Sequence, residues 1–393
     1  MARQASPDLR AASEAVAAAR ARERQANALL NPTLSYGREQ TSRSGQSNAQ
    51  DIAQLEQPFE IGGQRRARRD AARLRGDVAE ARLAAAERML DYDVARAYAT
   101  LVAAARRTAL ADEAATAFTE AGRVTTQRLA AGDVSGYAAR RLQLEAARYA
   151  AQRADAMLAL RVARVELAML VAVSPDSISP PPVTALAGGG APERVPLLDS
   201  LRLVATVSRP DLRASTLEAA ASAAEARLAA AERVPTPTLS AGFKRESVNP
   251  GGPGDAMGLH GFVAGFSLPL PLFDRRRGSI EAAAADTRRR EADADALRRR
   301  IRLEVEEAYA ALGAVDTQLG LLRPQLGENA RTALRAVQAA YSEGEITLVE
   351  WLDAVRAYQE AESTFATLQA DAMIRRAALE RAVGIPLFAR PPR

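Results

Sequence analysis

A chain of 393 residues with 48% hydrophobic content but only 4% aromatics has room for two or three ordinary domains or one long repetitive architecture. Much of that apolar fraction is alanine, which suits long, closely packed helices rather than a thick globular core. The net charge of +5 is spread over 48 interleaved acids, unlike the concentrated basic, aromatic-rich surface of a nucleic-acid protein, and with no cysteine in this sequence no disulfide framework or thiolate metal site is expected. Nearly all the cations are arginine, with Lys244 the one lysine. No apolar run approaches the ~20 residues of a membrane helix, and the opening stretch "MARQASPDLRAASEAVAAARARER" reads as an ordinary helix, not a signal peptide.

In chain order, that first helix ends before Pro32. Two strand-like stretches follow, "NPTLSYGREQTS" and "AQDIAQLEQPFEI", joined by the polar "RSGQSN". In the second, Ala53, Leu55, Phe59 and Ile61 share one face, and Ile52, Gln54, Glu56 and Glu60 the other. Pro58 ends regular pairing and Gly62-Gly63 makes a turn. From Gln64 to about Ala131 there is no proline, so a helix of ~65 residues, on the order of 100 Å, is expected. Its alanines and leucines fall at coiled-coil spacing with Arg and Glu between. It runs to Gly132, and a second helix returns to Val173.

A Pro/Gly-rich linker, Ser174 to Pro196, leads to a second copy of the same plan. "RPDLRASTLEAAASAAEARLAAAERVPTPTLS" matches "SPDLRAASEAVAAARARERQANALLNPTLS", "VEEAYAAL" matches "VARAYATL", and "YSEGEITLV" matches "LAAGDVSGY". The second strand pair is "PTLSAGFKRESV" and "MGLHGFVAGFSLPL", around "NPGGPGD". Leu239, Ala241 and Phe243 alternate with Ser240, Gly242 and Lys244, and His260, Phe262, Ala264, Phe266 and Leu268 alternate with glycines, Val263 and Ser267. The division is then a first repeat over 1–173 (hairpin 33–61, helical hairpin 64–173), a linker and equatorial segment over 174–209, and a second repeat over 210–393 (hairpin 238–270, helical hairpin 275–384).

Alternating stretches of ~10 residues flanked by aromatics fit transmembrane β-strands. Four strands cannot close a barrel, and open edges are not tolerated in lipid. Several chains must therefore pool strands. Three copies would give a twelve-stranded barrel, with the helices forming a tube beyond it. Arg65, Arg66, Arg68 and Arg69 would sit where membrane gives way to water, and "LPLPLFDRRRG" would do the same in the second copy.

The landmarks "NPTLS", "QPFEIGGQRR", "PTLSAGF", "PLPLFDRRRG", "YSEGEITLVEWLDAVRAY" and "RAVGIP", in duplicated order, resemble the TolC-like outer membrane efflux proteins. "QPFEIGGQRRARRDAA" is most similar to the heavy-metal branch typified by CzcC and CusC. The resemblance implies a mainly α protein with membrane β: a long α-helical barrel plus four strands per protomer in a 12-stranded trimeric barrel. It implies a homotrimer in outer membrane lipid of a Gram-negative bacterium, with helices in the periplasm, working with a periplasmic adaptor and an inner membrane RND transporter as a passive exit duct for heavy-metal cations. It also implies a signal peptide ahead of the first helix, which this sequence lacks, so an N-terminal truncation is expected. No enzyme activity, cofactor, resident metal or nucleic-acid partner is implied.

The resemblance further assigns the closing aperture to Glu350 and Asp353, which lie i, i+3 on one helix face, and a latch to Tyr341. The first repeat carries Ala138 and Arg141 at the matching positions, and Ile346 stands where relatives can have arginine. The turns Gly132, Asp133, Val134, Ser135 and Gly344, Glu345, Ile346, Thr347 are the expected adaptor-docking tips. The plain alternative for Glu350 and Asp353 is a solvated face with local pairing to Arg356. His260 reads as a barrel-face residue and Trp351 as helix packing. Rival readings are a drug-efflux or type I secretion channel and, from another class, a soluble alanine-rich coiled-coil scaffold.

Overall fold

A computed structural model describes residues 2–43, 46–179, 195–249, 257–326 and 328–388. The order is α1 (Ala2–Ala5), α2 (Pro7–Ala26), β1 (Thr33–Arg43), β2 (Gln46–Pro58), α3 (Gln64–Ala130), α4 (Gly136–Val171), α5 (Leu198–Ser208), α6 (Pro210–Ala231), β3 (Thr238–Asn249), β4 (Met257–Ser267), α7 (Arg277–Leu322), α8 (Glu328–Glu343) and α9 (Leu348–Val383). The proline-free stretch does form a single 67-residue helix, α3. Pro324 breaks the corresponding run of the second half, where a 3₁₀ turn at Arg323–Gln325 separates α7 from α8. The chain divides into two compact units. One contains Ala12–Arg82 and Asp211–Leu297, the other Met1–Ala11, Leu83–Pro210 and Arg298–Arg393.

The first unit contains the sheet, an antiparallel meander in the order β1-β2-β3-β4. Among the described residues β1 and β4 have no outer partner. The hairpin β1–β2 is tighter than its composition suggests. Ser42 and Ser47 pair in register, as do Arg43 and Gln46, so most of the polar "RSGQSN" is strand rather than connection. Polar residues can extend a ladder when both faces of the hairpin end are solvated. "NPGGPGD" lies largely outside the described residues.

The sheet is inside out by the standard of a soluble protein. Leu34, Tyr36, Leu55, Leu239, Phe243, Phe262 and Phe266 are all exposed, Phe262 to 92%. They lie on one face in register, as in Leu34–Leu55–Ala241–Ala264 and Tyr36–Ala53–Phe243–Phe262. The other face carries Ser35, Gln54, Glu56, Ser240, Gly242, Lys244 and Glu246, and on β3 its residues are the less exposed set. An exposed apolar face behind a polar one is the pattern of a lipid-facing barrel wall.

The helices of this unit are tied by arginine rather than by a thick core. Arg20 on α2 reaches Asp77 at 2.9 Å and Glu80 at 2.7 Å on α3, as well as Glu23. These partners raise the affinity of the Arg20 guanidinium for its proton, Glu80 most. Gly76 makes room, since a Cβ there would lie 2.6 Å from Arg20 Nη1. The strand-to-helix turn is built similarly. Gly63 adopts φ +77°, and a Cβ on Gly62 would lie 2.5 Å from Val234 Cβ. Arg65 and Arg68 do not simply face solvent. Arg65 Nε donates to the Asn27 carbonyl at 2.8 Å, Arg68 Nε to that of Ala26 at 3.1 Å, and Arg68 Nη1 to Glu60 at 2.6 Å. They cap the C-terminal carbonyls of α2, which have no partners within that helix.

In the second unit, α5 packs on α9 through Ser208 Oγ, which donates to the Val383 carbonyl at 2.6 Å. Arg209 beside it reaches Glu304 on α7 at 2.5 Å. Residues 180–194 of the expected linker lie outside the described residues.

Candidate gating and docking site

The two helical hairpins of the second unit turn in the same way. Gly132 and Gly344 have φ +84° and +85°, the left-handed geometry that glycine takes without strain. Asp133 N–H bonds the Arg128 carbonyl at 2.8 Å, and Glu345 N–H bonds that of Ala340 at 2.9 Å. Ser135 then caps α4 by accepting from Ala138 N–H. Thr347 caps α9 with a full capping box. The eight tip residues therefore form two matched turns, with Val134 and Ile346 half-buried and the rest exposed.

Glu350 is the acidic half of that box. Its Oε2 accepts from Thr347 N–H at 2.7 Å and Thr347 Oγ1 at 2.8 Å. These bonds, the backbone one first, hold its carboxyl below the usual carboxylate range. Asp353, with a side chain 67% exposed, has Arg356 Nη1 at 4.0 Å. The other arm of Arg356 is engaged with Glu145 on α4 at 2.5 Å. So the local pairing open to Asp353 is long, and its carboxylate remains mostly solvated.

Tyr341 sits elsewhere: it is 3% exposed and its hydroxyl lies 2.7 Å from Thr125 Oγ1 on α3. Thr125 already donates to the Ala121 carbonyl, so the phenol is the donor between them. The Tyr341 ring stacks on Trp351 at 5.5 Å, Trp351 meets Phe118 edge-on at 5.1 Å, and Phe118 meets Tyr149 at 4.5 Å. With Leu142, Leu348, Leu352 and Val355 these rings form an apolar cluster, and Ile346 packs against it. Trp351 is thus a core residue, as expected. The site buries Tyr341, leaves Ile346 half-buried against the cluster, and keeps Glu350 and Asp353 on the surface.

The sequence reading missed one feature: Arg106 on α3 and Glu362 on α9 are buried together, at 2.6 Å. Glu113 lies 3.6 Å from Arg106, and Tyr358 donates to Glu113 at 3.4 Å. Arg331 on α8 interacts with the Tyr358 side chain. Burial pushes the Tyr358 phenol up. The signal was present. Glu362 occupies the apolar stripe Trp351, Val355, Tyr358, Ala366, Ala370 of α9, and Arg106 the stripe Val102, Leu110, Ala114 of α3.

Among the described residues no cluster of three or more His, Asp or Glu could hold a metal ion, and no helix is long and apolar enough to cross a membrane.

A family model described as outer membrane efflux protein matches residues 1–173 and 203–385. The chain is 26% identical over 348 residues to the cobalt-zinc-cadmium resistance protein CzcC of Cupriavidus metallidurans, covering 86% of this chain and 77% of that protein. It is 29% identical over 318 residues to the nickel-cobalt-cadmium resistance protein NccC of Alcaligenes xylosoxydans xylosoxydans, covering 77% and 66%. It superposes on CusC with a TM-score of 0.78 at 19% identity, covering 98% of this chain and 90% of that one. For the outer membrane protein VceC of Vibrio cholerae the TM-score is 0.75 at 22% identity, covering 98% and 94%. The likeness to CzcC-type proteins seen in "QPFEIGGQRRARRDAA" therefore extends over most of the chain, and the fold is TolC-like. The chain belongs to the outer membrane efflux protein family.

Proposed function

We propose that the chain is the outer membrane channel subunit of a tripartite efflux pump, a passive exit duct for heavy-metal cations served by a periplasmic adaptor and an inner membrane RND transporter. The observation that carries this reading is the sheet with its apolar face outward and both edges open. Such a sheet is unstable alone in lipid, and three copies of four strands would close a twelve-stranded barrel. The cation assignment rests on relatives named for cobalt, zinc, cadmium and nickel resistance. Within this reading the matched hairpin turns dock the adaptor. Three copies each of Glu350 and Asp353 would ring the axis and concentrate cations. The Tyr341–Thr125 bond would hold the second hairpin against α3 while the pore is closed.

The test is single-channel recording of reconstituted protein with and without divalent cations. Glu350→Gln with Asp353→Asn keeps the acceptor for the helix cap but removes both charges. It should weaken cation selectivity and block by multivalent cations. Selectivity and block unchanged in the double variant would remove these residues from the aperture.

A further inference from the structure

The outward face of the sheet changes character along its strands. Nearest the helices it carries Gln57–Leu239–Phe266, then Leu34–Leu55–Ala241–Ala264, then Tyr36–Ala53–Phe243–Phe262. The next row is Arg38–Asp51–Arg245–His260. Beyond it come Gln40–Ala49–Ser247–Gly258 and Ser42–Ser47–Asn249, with no large apolar side chain. From Gln57 to Ala53 these apolar rows advance about 13 Å along β2. The charged row follows directly on the last apolar row, and the hairpins continue past it.

The charges in that row are not balanced within it. Asp51 accepts from the Tyr36 hydroxyl at 2.8 Å and has Arg38 Nε at 3.9 Å. Arg245 is exposed, with no ion pair or hydrogen bond among the described residues. His260, its register partner, stacks on Phe243 at 5.8 Å. The row thus offers one surplus cation and a ring nitrogen at the edge of an aromatic belt. That arrangement complements an anionic headgroup whose acyl chains lie against Phe243 and Phe262.

We propose that Arg245, which lies between Asp51 and His260 in this row with Arg38 beyond Asp51, binds the phosphate of an anionic lipid headgroup at the edge of the apolar rows. The inference rests on the membrane-channel reading above, which places the apolar face in lipid. It commits to a lipid source, and a phosphorylated glycolipid such as lipid A is the probe.

Protein in detergent is titrated with lipid A, with lipid A stripped of its phosphates, and with inorganic phosphate. Retained lipid is counted by native mass spectrometry. The wild type should retain lipid A saturably and the stripped lipid weakly. Arg245→Gln should weaken retention about five-fold, the effect of one cation near an anionic surface. Arg38→Gln with Arg245→Gln should weaken it further, while Arg245→Lys should restore it. Equal retention by wild type and Arg245→Gln, equal retention of the stripped lipid, or displacement by millimolar inorganic phosphate would each overturn the assignment. Protein that forms no conducting pores would sink the channel reading. Pores without phosphate-dependent retention would sink this inference alone.

Discussion

Glu350 carries two roles on a single carboxylate. In one protomer it completes the cap of α9, accepting from both the N–H and the hydroxyl of Thr347. As an aperture acid it would also face cations. The cap has a pH signature with a definite sign. Hydrogen bonding to the charged form depresses the folded-state value below the ordinary 4.5. The stabilisation is therefore full above the unfolded carboxylate range and is lost as pH falls through the folded value. Glu350→Gln should accordingly reduce stability at neutral pH, with the difference from wild type shrinking in acid. Denaturant titrations at pH 7 and at successively lower pH measure it, and a difference independent of pH would refute the charged cap. Thr347→Ala should cost about 1 kcal/mol at neutral pH, and less in acid, because its hydroxyl also donates to the Glu350 carboxylate. At the same scale, Ile346 in the second tip adds an apolar contact to the ring cluster.

The elements of this chain are held together in two ways, and they differ in how visible they are from sequence. The long helices were legible because nothing interrupts α3 before Gly132, and the second break was marked by Pro324. The strands were legible from alternation at Leu239, Ala241 and Phe243. The hairpin end at Ser42 and Ser47 was not, because polar residues solvated on both faces look like loop. Least legible were the contacts between helices far apart in the chain. Arg106 and Glu362 are 256 residues apart, and each taken alone resembles one more charge on a solvated helix. Only their position within apolar stripes distinguishes them. Their burial fixes the expected energetics. Removing one partner strands a buried charge, so Glu362→Ala should cost about 3–5 kcal/mol in a urea titration. Replacing both, Arg106→Met with Glu362→Met, should recover most of that loss or exceed wild type. If Glu362→Ala costs less than ~1 kcal/mol, the pair does not hold α9 against α3 in solution, and the Glu113–Tyr358–Arg331 contacts would have to carry that packing instead.

At the scale of the whole molecule the decisive property is which side of the sheet meets lipid. Neighbouring residues on β2 test it, because Leu55 and Gln54 have nearly the same backbone surroundings but opposite faces. Leu55 is 50% exposed and lies in the apolar row with Leu34 and Ala241. Gln54 pairs with Ser35 and Gly242 on the polar face. In a soluble scaffold an arginine at Leu55 would be harmless, even favourable, since it would replace exposed apolar surface with charge. In a barrel wall the same arginine faces hydrocarbon and should cost about 2–4 kcal/mol near the bilayer centre, whereas a lumen-facing change leaves insertion intact and alters conduction. Leu55→Arg should therefore lower the yield of inserted, SDS-resistant oligomer by at least ten-fold relative to wild type, while Gln54→Arg should insert normally and shift ion selectivity toward anions. Both are read from vesicle flotation followed by bilayer recording. Normal insertion of Leu55→Arg combined with failure of Gln54→Arg would reverse the assignment of faces. Since strand closure between copies depends on the same two faces, that result would also remove the physical reason for three chains to share one wall.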